Sequence, residues 1–116
     1  MNTDEIIDHA IHRGEREGLE ALGPVEQFIF AISEAEVHCD IDGIDNLLQD
    51  YGTSKMGLFA QAFSAVGASE IANALQAISS STDPVPEELL SRANHLITVR
   101  HQYTYESIRA FVERDT

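Results

Sequence analysis

The chain has 116 residues, 20 acids against seven Lys and Arg, and a formal net charge of −13. That length suits one domain able to bury a core without staples, and 43% hydrophobic residues argue against disorder. A surface this acidic disfavours nucleic acid and anionic membranes as partners and favours basic ones.

The composition, with three Pro and seven Gly, predicts an all-α single domain, a bundle of about six or seven helices with short connections. The first helix is expected from about Asp4 to Leu22, capped by Asn2 or Thr3, with Ile6, Ile7, Ala10, Ile11, Leu19 and Leu22 apolar. Gly14 and Gly18 weaken its middle; Gly23 ends it, and Pro24 opens a second helix to about His38. Val25, Phe28, Ile29, Ile32 and Ala35 form the stripe of that helix, and Glu36 falls on the same stripe. Glu34, Glu36 and Asp40 crowd its C-terminal end, where the macrodipole disfavours them. Asp42 is the expected cap of a third helix, with Asp45 three residues on, and Ile44, Leu47, Leu48 and Tyr51 buried up to Gly52.

A fourth helix follows a Thr53 or Ser54 cap, buries Met56, Phe59, Ala62, Phe63 and Val66, and stops at Gly67. Ser69 is the expected cap of a fifth, with Ile71, Ala74, Leu75 and Ile78 inward; residues 79–86 read as a loop. The last helical region runs from Pro86 or Glu87 to about Arg114. It is either one helix or two divided between Thr98 and Thr104, with Thr104 capping a helix that buries Tyr105, Ile108, Phe111 and Val112.

Several chemistries find little footing. Asp40-Ile41-Asp42-Gly43-Ile44-Asp45 has the oxygen ligands of a calcium loop, but its Gly is at position four and Tyr51 stands at twelve. His9 and His12 lie three apart without a third ligand or an HExxH spacing. Glu34 and Glu36 would be a general acid–base pair only inside a pocket. No nucleophile elbow, phosphate loop or dinucleotide fingerprint occurs. No catalytic residue, cofactor or metal site is therefore expected. The single Cys39 excludes an internal disulfide, and the acidic N-terminus and lack of a long apolar run point to a cytoplasmic protein.

Charge is distributed unevenly. Residues 1–50 carry 13 acids and two bases, and no Lys or Arg stands between Glu17 and Ser54. The expected partner-binding residues are Glu26, Glu34, Glu36, Asp40, Asp42, Asp45 and Asp50.

Within residues 24–80 the chain reads Ala35-Glu36-Val37-His38-Cys39-Asp40-Ile41-Asp42-Gly43-Ile44-Asp45-Asn46-Leu47-Leu48, and later Ala65-Val66-Gly67-Ala68. The pattern of Glu-Val ending an acidic helix, a glycine turn and a Gly-Ala step resembles a bacterial DNA-mimic protein family of acidic helical proteins. Asp42 and Ile44 stand where that family has Asn and an aromatic residue, and Leu47 and Leu48 where it has paired aromatics. The resemblance implies a helical, often dimeric protein whose carboxylates imitate DNA phosphates on the DNA-binding face of a transcription factor. The scale is compatible: acids three or four apart on a helix sit about 5–6 Å apart, and phosphates of one strand recur about every 3.4 Å of rise. The runner-up reading is an immunity or antitoxin-type protein masking a basic nuclease toxin. A small enzyme or metal protein, and an acidic domain with no specific target, are further alternatives.

Overall fold

The structure, a computed structural model, describes residues 1–82 and 84–115. Seven α-helices make up its regular structure among those residues: α1 (Thr3–Glu17), α2 (Pro24–Ile41), α3 (Ile44–Tyr51), α4 (Met56–Ala65), α5 (Ser69–Ser79), α6 (Glu87–Thr98) and α7 (Tyr105–Asp115). One 3-10 turn, Leu19–Ala21, follows α1. Asp83, within the predicted loop, lies outside the described residues.

Hydrogen bonds fix the helix ends, some local and some long-range, and several ends differ from expectation. Asn2 rather than Thr3 caps α1, accepting from the Glu5 N–H at 2.9 Å while Glu5 accepts from the Asn2 N–H. This helix stops at Glu17, five residues short of the expected end. Gly18 adopts φ +90° and donates back to the Gly14 carbonyl at 2.8 Å, so Leu19 and Leu22 enter the core from a tighter turn. Conversely, α2 is three residues longer than expected. It closes when the N–H groups of Asp42 and Gly43 both return to the His38 carbonyl, at 2.9 and 2.7 Å.

Asp42 is thus the last cap of α2, not the first cap of α3. Gly43, at φ +96°, turns the chain away, and Asn94 of α6 takes over the capping, accepting from the Ile44 N–H at 3.0 Å. A similar long-range replacement occurs at α5. Ser69 is its first helical residue rather than its cap, and the Gln102 side chain accepts from the Glu70 N–H at 2.8 Å. Neither Thr53 nor Ser54 caps α4 through its side chain; a turn from the Thr53 carbonyl to the Met56 N–H leads into it. The last helical region is two helices. Thr104 and Ser107 exchange side-chain-to-backbone hydrogen bonds at the start of α7. Tyr105 is 50% exposed, and it is Tyr103, one residue before that cap, that enters the core.

Helix α2 is the central element, packing against α1, α3, α4, α6 and α7. Phe59, Phe63, Leu47, Met56, Ile71, Leu75, Ile78, Ile97 and Val112 are fully buried in the core. Aromatic pairs tie the layers: Phe63 meets the Tyr103 ring edge-on at 5.4 Å, Tyr51 lies 5.2 Å from Phe59, and Phe28 stacks on Phe111 at 5.8 Å. Where α1 crosses α2, the Phe30 ring lies directly over Gly14, in the space a Cβ would fill. The radius of gyration, 13.3 Å, matches the value of about 13 Å for a compact chain of this length.

Candidate protein-binding surface

Acids of the first half are drawn into two kinds of environment. The turn between α6 and α7 produces the first. Arg100 adopts φ +54° and Gln102 φ +70°, a left-handed conformation that costs a non-glycine residue about 1 kcal/mol or more. The turn is held because Arg100, His101, Gln102 and Tyr103 all find side-chain partners or caps. The Arg100 guanidinium grips Asp40 with two bonds, at 3.0 and 2.8 Å, and its Nε lies 3.3 Å from Glu36. The Tyr103 hydroxyl donates to Glu36 at 2.6 Å. His101 pairs with Glu70 at 2.6 Å, and Gln102 caps the same helix.

This accounts for a carboxylate on the apolar stripe of α2. Glu36 is half-buried beneath Arg100 and beside Tyr103, receiving both instead of turning to water. The bond from Arg100 holds the Asp40 carboxyl below its usual range. Burial, then the bond to Glu36, pushes the Tyr103 hydroxyl upward. For Glu70, the His101 hydrogen bond is the main cause of a lowered carboxyl pKa.

Other predicted acids are also engaged. Glu34 accepts from the Tyr51 hydroxyl at 2.6 Å, Asp50 lies 3.1 Å from His38 Nε2, and Glu26 lies 3.1 Å from Arg13. Indeed every Lys and Arg of the chain has an acidic partner: Arg13 and Arg16 with Glu17, Lys55 with Glu20, Arg92 with Glu70, Arg100 with Asp40, Arg109 with Asp4, and Arg114 with Asp115.

Asp42 and Asp45 differ from the other five predicted residues. Both are exposed, and neither forms an ion pair among the described residues. Asp45 stands in the first turn of α3; Glu87 and Glu88 stand in the first turn of α6, exposed and likewise without an ion pair among the described residues. The positive ends of both helices favour these acids. Asp45 and Glu87 line one depression of about 190 Å³ together with Gly43, Ile44, Leu90, Ser91 and Asn94. Sequence reasoning missed Glu87 and Glu88, because they lie some 40 residues from Asp45 outside the acidic half; the Asn94–Ile44 hydrogen bond sets the start of α3 against the middle of α6.

No group of three or more His, Cys, Asp or Glu side chains able to hold a metal occurs among the described residues. His12 turns to its own helix, with Nδ1 2.9 Å from the Asp8 carbonyl. The Cys39 thiol is buried, and its pKa is pushed up to about 12 by desolvation and by Asp40, so it stays protonated near neutral pH. No helix among the described residues is long and apolar enough to cross a membrane.

Comparison with protein-family models finds no match to this chain, and neither do comparisons with curated proteins or with solved structures. The functional reading rests on the residues themselves.

Proposed function

We propose that this chain is an acidic protein-binding module, a DNA-mimic-like regulator that occupies the basic surface of a DNA-binding protein such as a helix-turn-helix transcription factor. The observation that carries the reading is the saturation of all seven cations by intramolecular acids. No Lys or Arg is left over to offset Asp42, Asp45, Glu87 and Glu88, and of these Asp45 and Glu87 line one depression between α3 and α6. A partner's Lys and Arg residues meet there carboxylates with no internal cation to displace. The ion-paired acids Glu26, Glu36 and Asp40 contribute through net charge, which steers a basic partner over a Debye length of about 8–10 Å.

Capture from lysate on immobilised protein, at low and at high salt, tests the proposal. The expected result is retention of a basic DNA-binding protein at low salt, its release at high salt, and weaker retention by a D42N/D45N/E87Q/E88Q variant. Retention of no such protein, or equal retention by the variant, overturns the reading. Capture of a nuclease in its place transfers the same surface to an immunity function.

A further inference from the structure

The outward face of α2 changes character along its length. Positions 30, 34, 37 and 41 follow one another at helical spacing, so Phe30, Glu34, Val37 and Ile41 share a stripe that starts in the core and runs to the C-terminal end of α2. Phe30 is covered by α1 at Gly14, and Glu34 is partly covered by Tyr51 of α3. Beyond them nothing covers the stripe: Val37 is 48% exposed and Ile41 74%. Val99, 53% exposed, directly precedes Arg100, whose guanidinium grips Asp40 next to Ile41 in the chain. Apart from Met1 and Tyr105, these three are the exposed large hydrophobic residues among those described.

The surroundings of this apolar strip specify what fits it. Glu36 and Asp40, each one residue before Val37 and Ile41, flank it on one side; Asp50, held against His38, lies on the other; Glu34 stands one turn before Val37, and Asp42 and Asp45 follow Ile41 in the chain. Arg100, the cation held by the flanking acids, is bound to Asp40 and Glu36; His38 is half-buried against Asp50. Six acids around two apolar side chains would repel a second copy of a chain carrying −13.

We infer that Val37, Ile41 and Val99 form the seat for an amphipathic helix of a basic partner, one that sets apolar residues on the strip and Lys or Arg on the acids beside it. The inference deepens the proposed function, on which it rests, by naming the surface and the shape of the ligand. Val37 and Ile41 are about 6 Å apart as an i, i+4 pair, the spacing that accepts a side chain of a crossing helix between them. The strip supplies contact area, and the acids supply orientation and speed of encounter.

The test uses a fluorescent Leu/Lys peptide with leucines at i, i+4 and i+7, and a scrambled peptide of the same composition. Anisotropy titrations are expected to show tighter binding of the striped peptide. V37S/I41S should weaken that peptide alone by about ten-fold, the loss expected for two exposed aliphatic groups left wet. D42N/D45N should weaken both peptides and flatten the salt dependence. Circular dichroism melts of the variants establish that the fold is kept, since the substituted side chains lie on the surface. Backbone amide shifts on addition of the striped peptide should centre on residues 37–45 and 97–100. Equal binding of the striped peptide by wild type and V37S/I41S overturns the inference, as does a shift map elsewhere, or a dimer of the free chain that I41S dissolves. Capture of a basic partner unaffected by V37S/I41S also overturns it while leaving the general reading standing.

Discussion

Replacing Gly14 by Ala should destabilise the protein although it improves helix propensity. A Cβ built on Gly14 would lie 2.4 Å from both Cγ and Cδ1 of Phe30 and 2.7 Å from Cε1, well inside van der Waals contact. Phe30 cannot yield cheaply. Its Cγ is bonded to its own Cβ, so ring rotation leaves that atom in place, and the ring is buried between α1 and α2. The two helices must separate or Phe30 must change rotamer, an overpacking cost of about 1–3 kcal/mol. The propensity gain of Ala over Gly recovers at most about 1 kcal/mol. The expected net loss is about 1–2 kcal/mol, a fall in Tm of roughly 4–8 °C for a chain of this size. Gly57 of α4 provides the contrast. Its Cβ would meet only Ser79 Oγ, at 3.5 Å, so G57A should stabilise by a few tenths to about 1 kcal/mol. Urea and thermal unfolding followed by circular dichroism measure both, and F30L should remove much of the G14A penalty in a double-mutant cycle. The reasoning fails if G14A is as stable as wild type, or if the two glycine substitutions shift the midpoint in the same direction.

Three further outcomes are expected. Q102A removes the acceptor for the Glu70 N–H while leaving position 102 at φ +70°, and should cost about 1 kcal/mol; Q102G should cost less, because glycine relieves the backbone. The Asp40 carboxyl is depressed in the folded state by Arg100, so its contribution is present above the unfolded value of about 3.9 and is lost as pH falls through the lower folded value. The stability gap between wild type and D40N should therefore be constant from pH 7 to about pH 5 and close under stronger acid; a gap that widens on acidification contradicts this. Cys39, buried with its pKa pushed up to about 12, should react with an aromatic disulfide reagent at pH 8 far more slowly in the native protein than in denaturant. Equal rates would mean that the thiol is accessible.

Some of this protein can be read directly from residue order. Periodicity locates the helical segments, because burying a stripe at i, i+3 and i+4 is what makes an isolated turn into a stable helix. Most core members named from those stripes, among them Ile7, Phe59, Phe63, Ile71 and Leu75, are buried as expected, whereas Tyr105 is half exposed. Glycine positions also carry local information: Gly52 and Gly67 end helices at positive φ, as their sequence context suggests. What misleads is local plausibility. Asp42 and Ser69 have the chemistry of helix caps, yet Asn94 and Gln102 perform the capping.

The same division holds for the acidic surface. Composition and charge order by themselves determined that this chain is helical, strongly acidic and short of cations in its first half. Only the tertiary structure decided which acids remain free, because Arg100 reaches Asp40 across 60 residues and Tyr103 reaches Glu36 across 67. Contacts of that separation depend on how α6 and α7 settle against α2, and helical period constrains the face each helix buries without specifying its neighbour. The exposure of Val37 and Ile41 has the same origin: a stripe is covered only as far as the helix lying on it extends, and α1 crosses α2 at Phe30 and Gly14.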